Sequence, residues 1–471
     1  MPLFNVDIKP GEKIVSLVEV LGADDSVFDP RTRPSLNDAI SMIVGEQNGF
    51  AIPFASVALP DHEDLPEQNL FRCLFGRDAL LISDLLSCHK PDLLRTVVLA
   101  LGAVQGVNSD DLSEEEFGRI AHEVRNPDDP RAIEIMKEAN WKFPYYGSVD
   151  ATLIWINSVK KILNSHPHFL DEVVAGINIG ERVIRSTVWM LHRLNSPSGF
   201  VESRRRNPRG IQNQVWKDSG DSYMHRDGTL ARGDSTASIE TVAEAFDALI
   251  AAADIQELYP SKEWPLSSGE LRVEAILLRE RLFKTMWLGD RFALGVERND
   301  DGAVVPFDSQ ASNQARLLDS GILIGDEYAP YREAIAAALV DSGLLCSTGL
   351  RTLSAKHVSY RPGGYHTGSA WPMDGVFAAR GMLRHGFVSE SEKIASRVQK
   401  AIESIGGYPE YFRGDYPDHE LITRTVADVA PRPESPDKGT NRIFQPPQLI
   451  QGWTVGAYAW LTSARSRGNV N

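Results

Sequence analysis

One short segment concentrates chemically active side chains. Two carboxylates, a tryptophan, a lysine and two hydroxyl groups fall within nine consecutive residues, Gln214-Val215-Trp216-Lys217-Asp218-Ser219-Gly220-Asp221-Ser222. The segment has neither helical nor strand periodicity, which predicts a loop. An aromatic ring that stacks on a sugar, polar groups that orient hydroxyls and an acid that protonates a glycosidic oxygen are the parts of a glycoside-cleaving site. The competing interpretation is a polar surface loop that caps the next helix.

Composition excludes several classes of protein. The 471 residues are 42% hydrophobic and 24% charged, as in a compact globular protein. A net charge of −15 disfavours nucleic-acid and anionic-membrane partners, because both need a basic footprint. Cys73, Cys88 and Cys346 are too far apart for a metal motif and odd in number, so neither a disulfide framework nor a metal site is predicted.

The first residues lack the basic and apolar regions of a secretory signal, and the most apolar later run, 96 to 107, is too short to span a bilayer. These features predict a cytoplasmic protein with no membrane partner. No cofactor is expected, and the sequence does not indicate an oligomeric state.

Helical periodicity indicates about a dozen helices separated by long connections rich in Gly, Pro and aromatic residues. The predicted helices cover residues 35–45, 77–88, 91–105, 150–164, 169–194, 235–257, 267–287, 310–320, 329–343, 371–386, 388–405 and 447–464. Loops of such length in a compact domain are usually functional. We therefore predict an all-α fold, an (α/α)6 barrel or six-hairpin toroid, whose long loops form the active-site face. Residues 1–34 are expected to form an amino-terminal arm, and residues 35–471 the catalytic barrel.

Seven segments, in chain order, resemble landmarks of one enzyme family. They are Phe75-Gly76-Arg77-Asp78-Ala79-Leu80, Gly118-Arg119-Ile120-Ala121-His122-Glu123-Val124-Arg125, Tyr146-Gly147-Ser148-Val149-Asp150-Ala151-Thr152, Trp216-Lys217-Asp218-Ser219, Tyr365-His366-Thr367-Gly368-Ser369-Ala370-Trp371-Pro372, Pro409-Glu410-Tyr411-Phe412 and Gln451-Gly452-Trp453. Over roughly residues 70 to 465 the chain resembles the carboxy-terminal domain of amylo-α-1,6-glucosidase, the glycogen debranching enzyme, and its bacterial relatives. The wider clan includes glycoside hydrolase families 63, 37 and 100, which are inverting (α/α)6 barrels. The segment before the first landmark, about 70 residues, is too short for the extra domains of full debranching enzymes, which favours a small glycoside over glycogen.

The resemblance implies a role for two carboxylates. Asp218 matches the family's general acid and Glu410 its general base, with Asp221 as a rival acid. Inversion requires these groups on opposite faces of the sugar, about 6.5 to 9.5 Å apart, so they must come from different segments. Such a pair gives a bell-shaped dependence of kcat/KM on pH, in which the pKa of the acid exceeds that of the base.

The resemblance also implies a set of substrate-binding residues. Arg77 and Asp78 would hold hydroxyls at the bottom of the pocket, although Gly-Arg-Asp before an apolar helix is also a plain helix start. The full predicted set is Arg77, Asp78, His122, Tyr146, Asp150, Gln214, Trp216, Lys217, Asp221, Tyr365, His366, Trp371 and Trp453. For each polar member the alternative is a cap or a structural ion pair.

Four arginines between residues 204 and 209 stand out in an acidic chain. One hypothesis is that Arg204, Arg205, Arg206 or Arg209 clamps an anionic aglycone such as glycerate, because arginine binds carboxylates in a bidentate way. The alternative is a solvated loop paired with local acids.

The predicted function is an exo-acting, inverting hydrolase of an α-glucoside or α-mannoside carried by a small molecule or an oligosaccharide. A glycoside phosphorylase, a sugar epimerase that uses a histidine pair, and a non-catalytic carbohydrate-binding protein stay open as alternatives. Glu410 in its polar and aromatic setting favours hydrolysis over these.

Overall fold

The computed structural model describes residues 29–58, 70–231, 235–341, 343–414 and 447–468, with side chains to residue 463, and the backbone of three short strands elsewhere. Most of the predicted arm, residues 1–34, and parts of the long connections 46–76 and 406–446 lie outside the described residues.

The described chain is rich in helices. Its α-helices are α1 (Leu36–Ile43), α2 (Gly76–Leu85), α3 (Leu93–Ala103), α4 (Pro130–Ala139), α5 (Asp150–Ile162), α6 (Ile179–Leu194), α7 (Ile239–Leu258), α8 (Ser268–Met286), α9 (Ala315–Asp319), α10 (Ala329–Val340), α11 (Pro372–Arg384), α12 (Val388–Glu403) and α13 (Gly452–Gly468). Short 3-10 helices cover Pro30–Thr32, Phe169–Asp171, Ser312–Gln314, Gly321–Leu323 and Asp326–Tyr328.

Six helices contact one another in a closed cycle: α2, α5, α7, α9, α11 and α13, which returns to α2. In the chain α1 precedes the first of them, and α3, α6, α8, α10 and α12 lie between them. Each of these six contacts at least one member of the cycle, and the short α4 belongs to neither set. The two sets differ in burial. The side chains of α2 and α11 are nearly all buried, whereas α8 and α12 bury a single stripe. Apart from α4, the described chain therefore alternates between an outer helix and an inner one.

Ion pairs join four inner helices. Arg380 of α11 donates to both carboxylate oxygens of Asp319 at the end of α9, at 2.8 and 2.7 Å. It also donates to Asp84 of α2 at 2.8 Å, and Asp84 accepts from Lys161 of α5 at 2.7 Å. This network lies in the last turns of α2 and α5, at the end of the short α9 and in the carboxy-terminal half of α11.

The described chain also contains short strands, three of which lead directly into inner helices. They are β1 (Phe4–Val6), β2 (Val44–Gln47), β3 (Phe50–Pro53), β4 (Ser56–Val57), β5 (Leu74–Phe75), β6 (Glu123–Val124), β7 (Val173–Val174), β8 (Ile177–Asn178), β9 (Thr236–Ser238), β10 (Gly295–Arg298), β11 (Val304–Phe307), β12 (Leu345–Cys346), β13 (Gly349–Leu350), β14 (Arg432–Pro433), β15 (Arg442–Phe444) and β16 (Ile450–Gln451). Antiparallel pairing joins β5 to β6, β9 to β10 and β16 to β4. Because β5, β9 and β16 directly precede α2, α7 and α13, these ladders anchor the amino ends of three inner helices.

Two helix predictions need correction. The helix predicted from residue 169 begins only at Ile179, because Ala175 (φ 46°) and Gly176 (φ 78°) turn the β7–β8 hairpin before it. The long connection between the helices predicted at 91–105 and 150–164 contains α4, which starts with an Asp129 cap and Pro130 in its first turn. Among the described helices, none combines the length and the apolarity needed to cross a lipid bilayer.

Candidate active site

Carboxylates mark the amino ends of the inner helices. Asp78, Asp150, Glu240 and Asp374 lie in the first turns of α2, α5, α7 and α11, and all four residues are buried. The partial positive charge of a helix amino terminus stabilises an anion placed there. One end of the helix cycle therefore concentrates acidic side chains.

A pocket opens at this end. It encloses about 450 Å³ of space including its open mouth. The residues that line it are Ala55, Phe71, Phe75, Arg77, Asp78, His122, Trp216, Asp218, Tyr365, Trp371, Glu410, Gln451 and Trp453. The pocket thus combines three carboxyl groups and one guanidinium with aromatic walls, a combination that suits a polyhydroxylated ligand with one apolar face.

Arg77 organises the acidic side of the pocket. Its Nη1 donates to Oδ2 of Asp150 at 3.0 Å, and its other nitrogens lie 3.7 Å from Asp78 and 3.8 Å from Asp218. The Arg77 side chain is 4% exposed. Asp150, at the start of α5, therefore holds the guanidinium from behind while Asp78 and Asp218 meet it at the pocket surface.

The loop 214–222 reaches the pocket through Trp216 and Asp218. Trp216 is buried edge-on against His366 and Trp371, with ring centroids 5.5 and 5.8 Å apart. The Asp218 side chain stays 35% exposed. Asp221, the rival for the acid, is not among the lining residues.

Glu410 lies deeper in the wall. The hydroxyl of Tyr365 donates to its Oε1 at 2.6 Å, and the backbone N–H of Gln448 donates to its Oε2 at 3.2 Å. Both contacts orient the carboxyl group and stabilise its ionised form.

Burial and mutual repulsion set the acidity of this pocket. The pKa of Glu410 is raised to about 7 in all, because burial and then the charges of Asp218 and Asp78 raise it by more than the hydrogen bonds from Tyr365 and Gln448 lower it. Burial likewise raises the pKa of Asp78 to about 7 against the opposing charge of Arg77. Carboxyl groups that repel one another titrate as a coupled set, so the pocket exchanges protons near neutral pH.

His122 is a neutral member of the wall. Burial, and then the charges of Arg77 and Arg119, hold the pKa of its imidazole well below the ordinary value. Its Nδ1 is buried with no hydrogen-bond partner within the protein. A neutral imidazole in this place can donate one hydrogen bond to a ligand or accept one from it.

Several predicted binding residues stand behind the wall instead of facing the pocket. They are Tyr146, Asp150, Gln214, Lys217, Asp221 and His366. The Tyr146 hydroxyl donates to the carbonyl of Val104 at 2.7 Å, and Nζ of Lys217 donates to the carbonyl of Thr352 at 2.6 Å. These side chains fix the loops that carry the lining residues.

Gln214 needs a specific correction. It is fully buried, donates to Glu114 and accepts from Nη2 of Arg119 at 2.8 Å. Its amide is therefore engaged in a protein network. A buried polar residue has the same sequence signature whether it faces a ligand or other side chains.

Four lining residues were not predicted: Ala55, Phe71, Phe75 and Gln451. Phe75 and Gln451 belong to two of the family landmarks, so the family resemblance is the signal that could have identified them. Ala55 and Phe71 carry no chemical signal in the sequence.

The four arginines at 204–209 do not line the pocket. Arg206 donates to the carbonyls of Asp110 and Glu115 at 3.1 and 2.6 Å, and Arg209 donates to the carbonyl of Glu138 at 2.7 Å. These two side chains join neighbouring loops, which corrects the hypothesis that they clamp an anionic aglycone. In the described parts of the chain, no group of three His, Cys, Asp or Glu side chains is arranged to hold a metal ion.

Comparison with solved structures gives the fold a context. The chain is similar to the GH63 mannosylglycerate hydrolase from Thermus thermophilus in complex with Tris and D-glycerate, with a TM-score of 0.56, 12% identity, and coverage of 92% of this chain and 100% of that one. It is also similar to a structure described as a glycosidase, with a TM-score of 0.52, 14% identity, and coverage of 94% and 98%. No family model and no curated protein sequence matches the chain. The resemblance to GH63-like glycoside hydrolases is thus confirmed at the level of the fold.

Proposed function

We propose that the protein is an exo-acting, inverting glycoside hydrolase with Asp218 as general acid and Glu410 as general base. The observation that carries this proposal is the meeting of two carboxyl groups from distant loops in one aromatic pocket. Neither a binding module nor an epimerase needs such a pair. His122 is the one histidine among the described lining residues, whereas an epimerase of the kind considered uses two.

The geometry supports a division of labour. Asp218, the more exposed carboxyl, donates a proton to the departing glycosidic oxygen near the pocket mouth. Glu410, oriented by Tyr365 and Gln448, accepts a proton from the water whose oxygen bonds to the anomeric carbon. The water adds across the broken bond, so the products are the free sugar and the alcohol. Arg77 and Asp78 hold hydroxyls of the sugar at the closed end.

The architecture we propose is the (α/α)6 barrel, built by residues 35–471 as one catalytic domain. It is supported by the alternation of inner and outer helices and by the closed cycle of inner contacts. The four buried carboxylates in helix first turns all belong to inner helices, as a site at one end of such a barrel requires.

The substrate we propose is an α-mannoside or α-glucoside of a small molecule. Support comes from the small pocket and from the name of the structural neighbour, a mannosylglycerate hydrolase with D-glycerate bound. An anionic aglycone stays within the proposal, with a binding group other than Arg206 and Arg209.

The test is a panel of α-mannosides and α-glucosides, including their glycerates, assayed for free sugar with and without phosphate. We expect release that is independent of phosphate. A phosphate requirement would indicate a phosphorylase, and an isomerised sugar without release would indicate an epimerase.

Tyr365→Phe should move the acidic limb of the kcat/KM profile to higher pH. The Tyr365 hydroxyl stabilises ionised Glu410, so its loss raises the pKa of Glu410, and a base must be ionised to act. A hydrogen bond to a charged group contributes about 1.5 to 3 kcal/mol, which corresponds to a shift of about one to two pH units. The control is Tyr408→Phe, because the Tyr408 hydroxyl donates to a neutral group, the carbonyl of Pro34. An unmoved limb in Tyr365→Phe would exclude Glu410 as the base.

A further inference from the structure

A direct hydrogen bond connects the segments that carry the two catalytic carboxyl groups. Oγ of Ser219 and Nδ1 of His366 are 2.9 Å apart, and the tautomer of His366 decides which of them donates. Ser219 follows Asp218 in the chain, and His366 follows Tyr365, which binds Glu410 through its hydroxyl. Two hydrogen bonds and two peptide links therefore join the acid to the base.

Both ends of this connection are firmly held. The carbonyl of Ser219 accepts from Nδ2 of Asn213 at 2.7 Å and from Oγ of Ser222 at 2.6 Å. The His366 ring stacks on Trp371 at a centroid distance of 5.1 Å and an angle of 23°. Ser219 and His366 are both buried. A displacement at one end is therefore transmitted to the other.

A second route ties the same two segments together on the other side of Asp218. Nζ of Lys217 donates to the carbonyl of Thr352 at 2.6 Å, and Oγ1 of Thr352 donates to the carbonyl of Ser369 at 3.0 Å. Oγ of Ser369 then donates to the carbonyl of Tyr365 at 2.6 Å. The residues before and after Asp218 are thus both anchored to the Tyr365 segment.

We propose that the Ser219–His366 hydrogen bond sets the position of the general acid relative to the base, which makes both side chains positioning residues. This inference rests on the proposed hydrolase function. Inversion works only within a limited separation of the carboxyl groups, and a misplacement of about 1 Å can reduce a rate about 100-fold. Glu410 keeps its own contacts with Tyr365 and Gln448, so losing the bond impairs proton donation first.

The experiment compares two substrates that differ in their need for an acid. The alcohol of an alkyl glycoside leaves only when the glycosidic oxygen is protonated, whereas fluoride departs from a glycosyl fluoride with little proton assistance. For Ser219→Ala we expect kcat to fall about 10- to 100-fold on the alkyl glycoside and less than about threefold on the fluoride, with KM nearly unchanged. Loss of packing alone would reduce both rates together.

Two further variants make the test independent of folding defects. His366→Gln should show the same dependence on the leaving group, and the double variant should be no slower than the slower single one, because both remove one interaction. Ser391→Ala is the matched control, since this buried serine donates to the carbonyl of Ala379 at 2.9 Å between α11 and α12. It should leave both rates unchanged.

The outcomes separate the two proposals. Equal losses on both substrates, or no loss in either variant, would overturn the positioning role while leaving hydrolysis intact. A wild-type protein that cleaves neither substrate would instead reject the proposed function.

Discussion

Asp218→Asn and Glu410→Gln should each lower kcat by about 100- to 10,000-fold, the usual contribution of general acid or base catalysis. Each substitution keeps the size of the side chain and removes its ability to exchange a proton. Asp218 contacts Arg77 at 3.8 Å, and Glu410 accepts from Tyr365 and Gln448, contacts that an amide can partly retain. Steady-state kinetics on a cleaved α-glycoside measures the loss, and circular dichroism checks the fold.

Asp221→Asn is the control for this prediction. Asp221 lies in the same loop, three positions after Asp218, but not in the lining of the pocket. We expect its kcat to stay within a few-fold of wild type. If it is the more damaging of the two aspartate changes, Asp221 is the acid and the assignment of Asp218 is wrong.

Arg77→Met should destabilise the protein by about 3 to 5 kcal/mol at neutral pH, the usual effect of removing one partner of a buried ion pair. Asp150, 2% exposed in its side chain, and Asp78 would lose their counter-charge. Burial raises the pKa of Asp78 to about 7 even beside Arg77, and without the guanidinium it rises further. Because a protonated carboxyl group needs no counter-charge, the deficit should grow as the pH rises from 7 towards 9. Urea denaturation at several pH values measures the free energy of unfolding.

The matched control is Arg95→Met. Arg95 forms a two-point pair with Glu172, but both side chains are about one-third exposed, at 32% and 31%. Exposed pairs contribute about 0 to 1 kcal/mol, so this variant should unfold almost like wild type. If Arg77→Met loses as little stability as is expected for Arg95→Met, the ion pairs of Arg77 contribute no more than an exposed pair.

Helix positions could be read from the sequence because most helices bury a periodic stripe or all of their faces. The helix predicted at 371–386 is observed at Pro372–Arg384, and the one predicted at 267–287 at Ser268–Met286. The failures have local causes. Ala175 adopts a positive φ that nothing in its residue type predicts, and α4 is a short helix in which only Ala132 is buried.

The candidate site was predictable where residue type and chemistry coincide. Trp216, Asp218 and Glu410 were predicted from their chemistry and from the family resemblance, and all three line the pocket. The direction of a polar side chain was not predictable. Gln214 turns to Glu114 and Arg119, and Arg206 turns to backbone carbonyls, because the loops that supply these partners meet only in three dimensions.

The anomeric form of the first sugar released tests the central claim most directly. Proton NMR recorded within the first minutes of cleavage of an α-glycoside distinguishes the two anomers before they interconvert. An acid at Asp218 and a base at Glu410, with a water between the base and the sugar, deliver the β-anomer first. Initial release of the α-anomer would contradict the inverting mechanism and with it the roles assigned to both carboxyl groups.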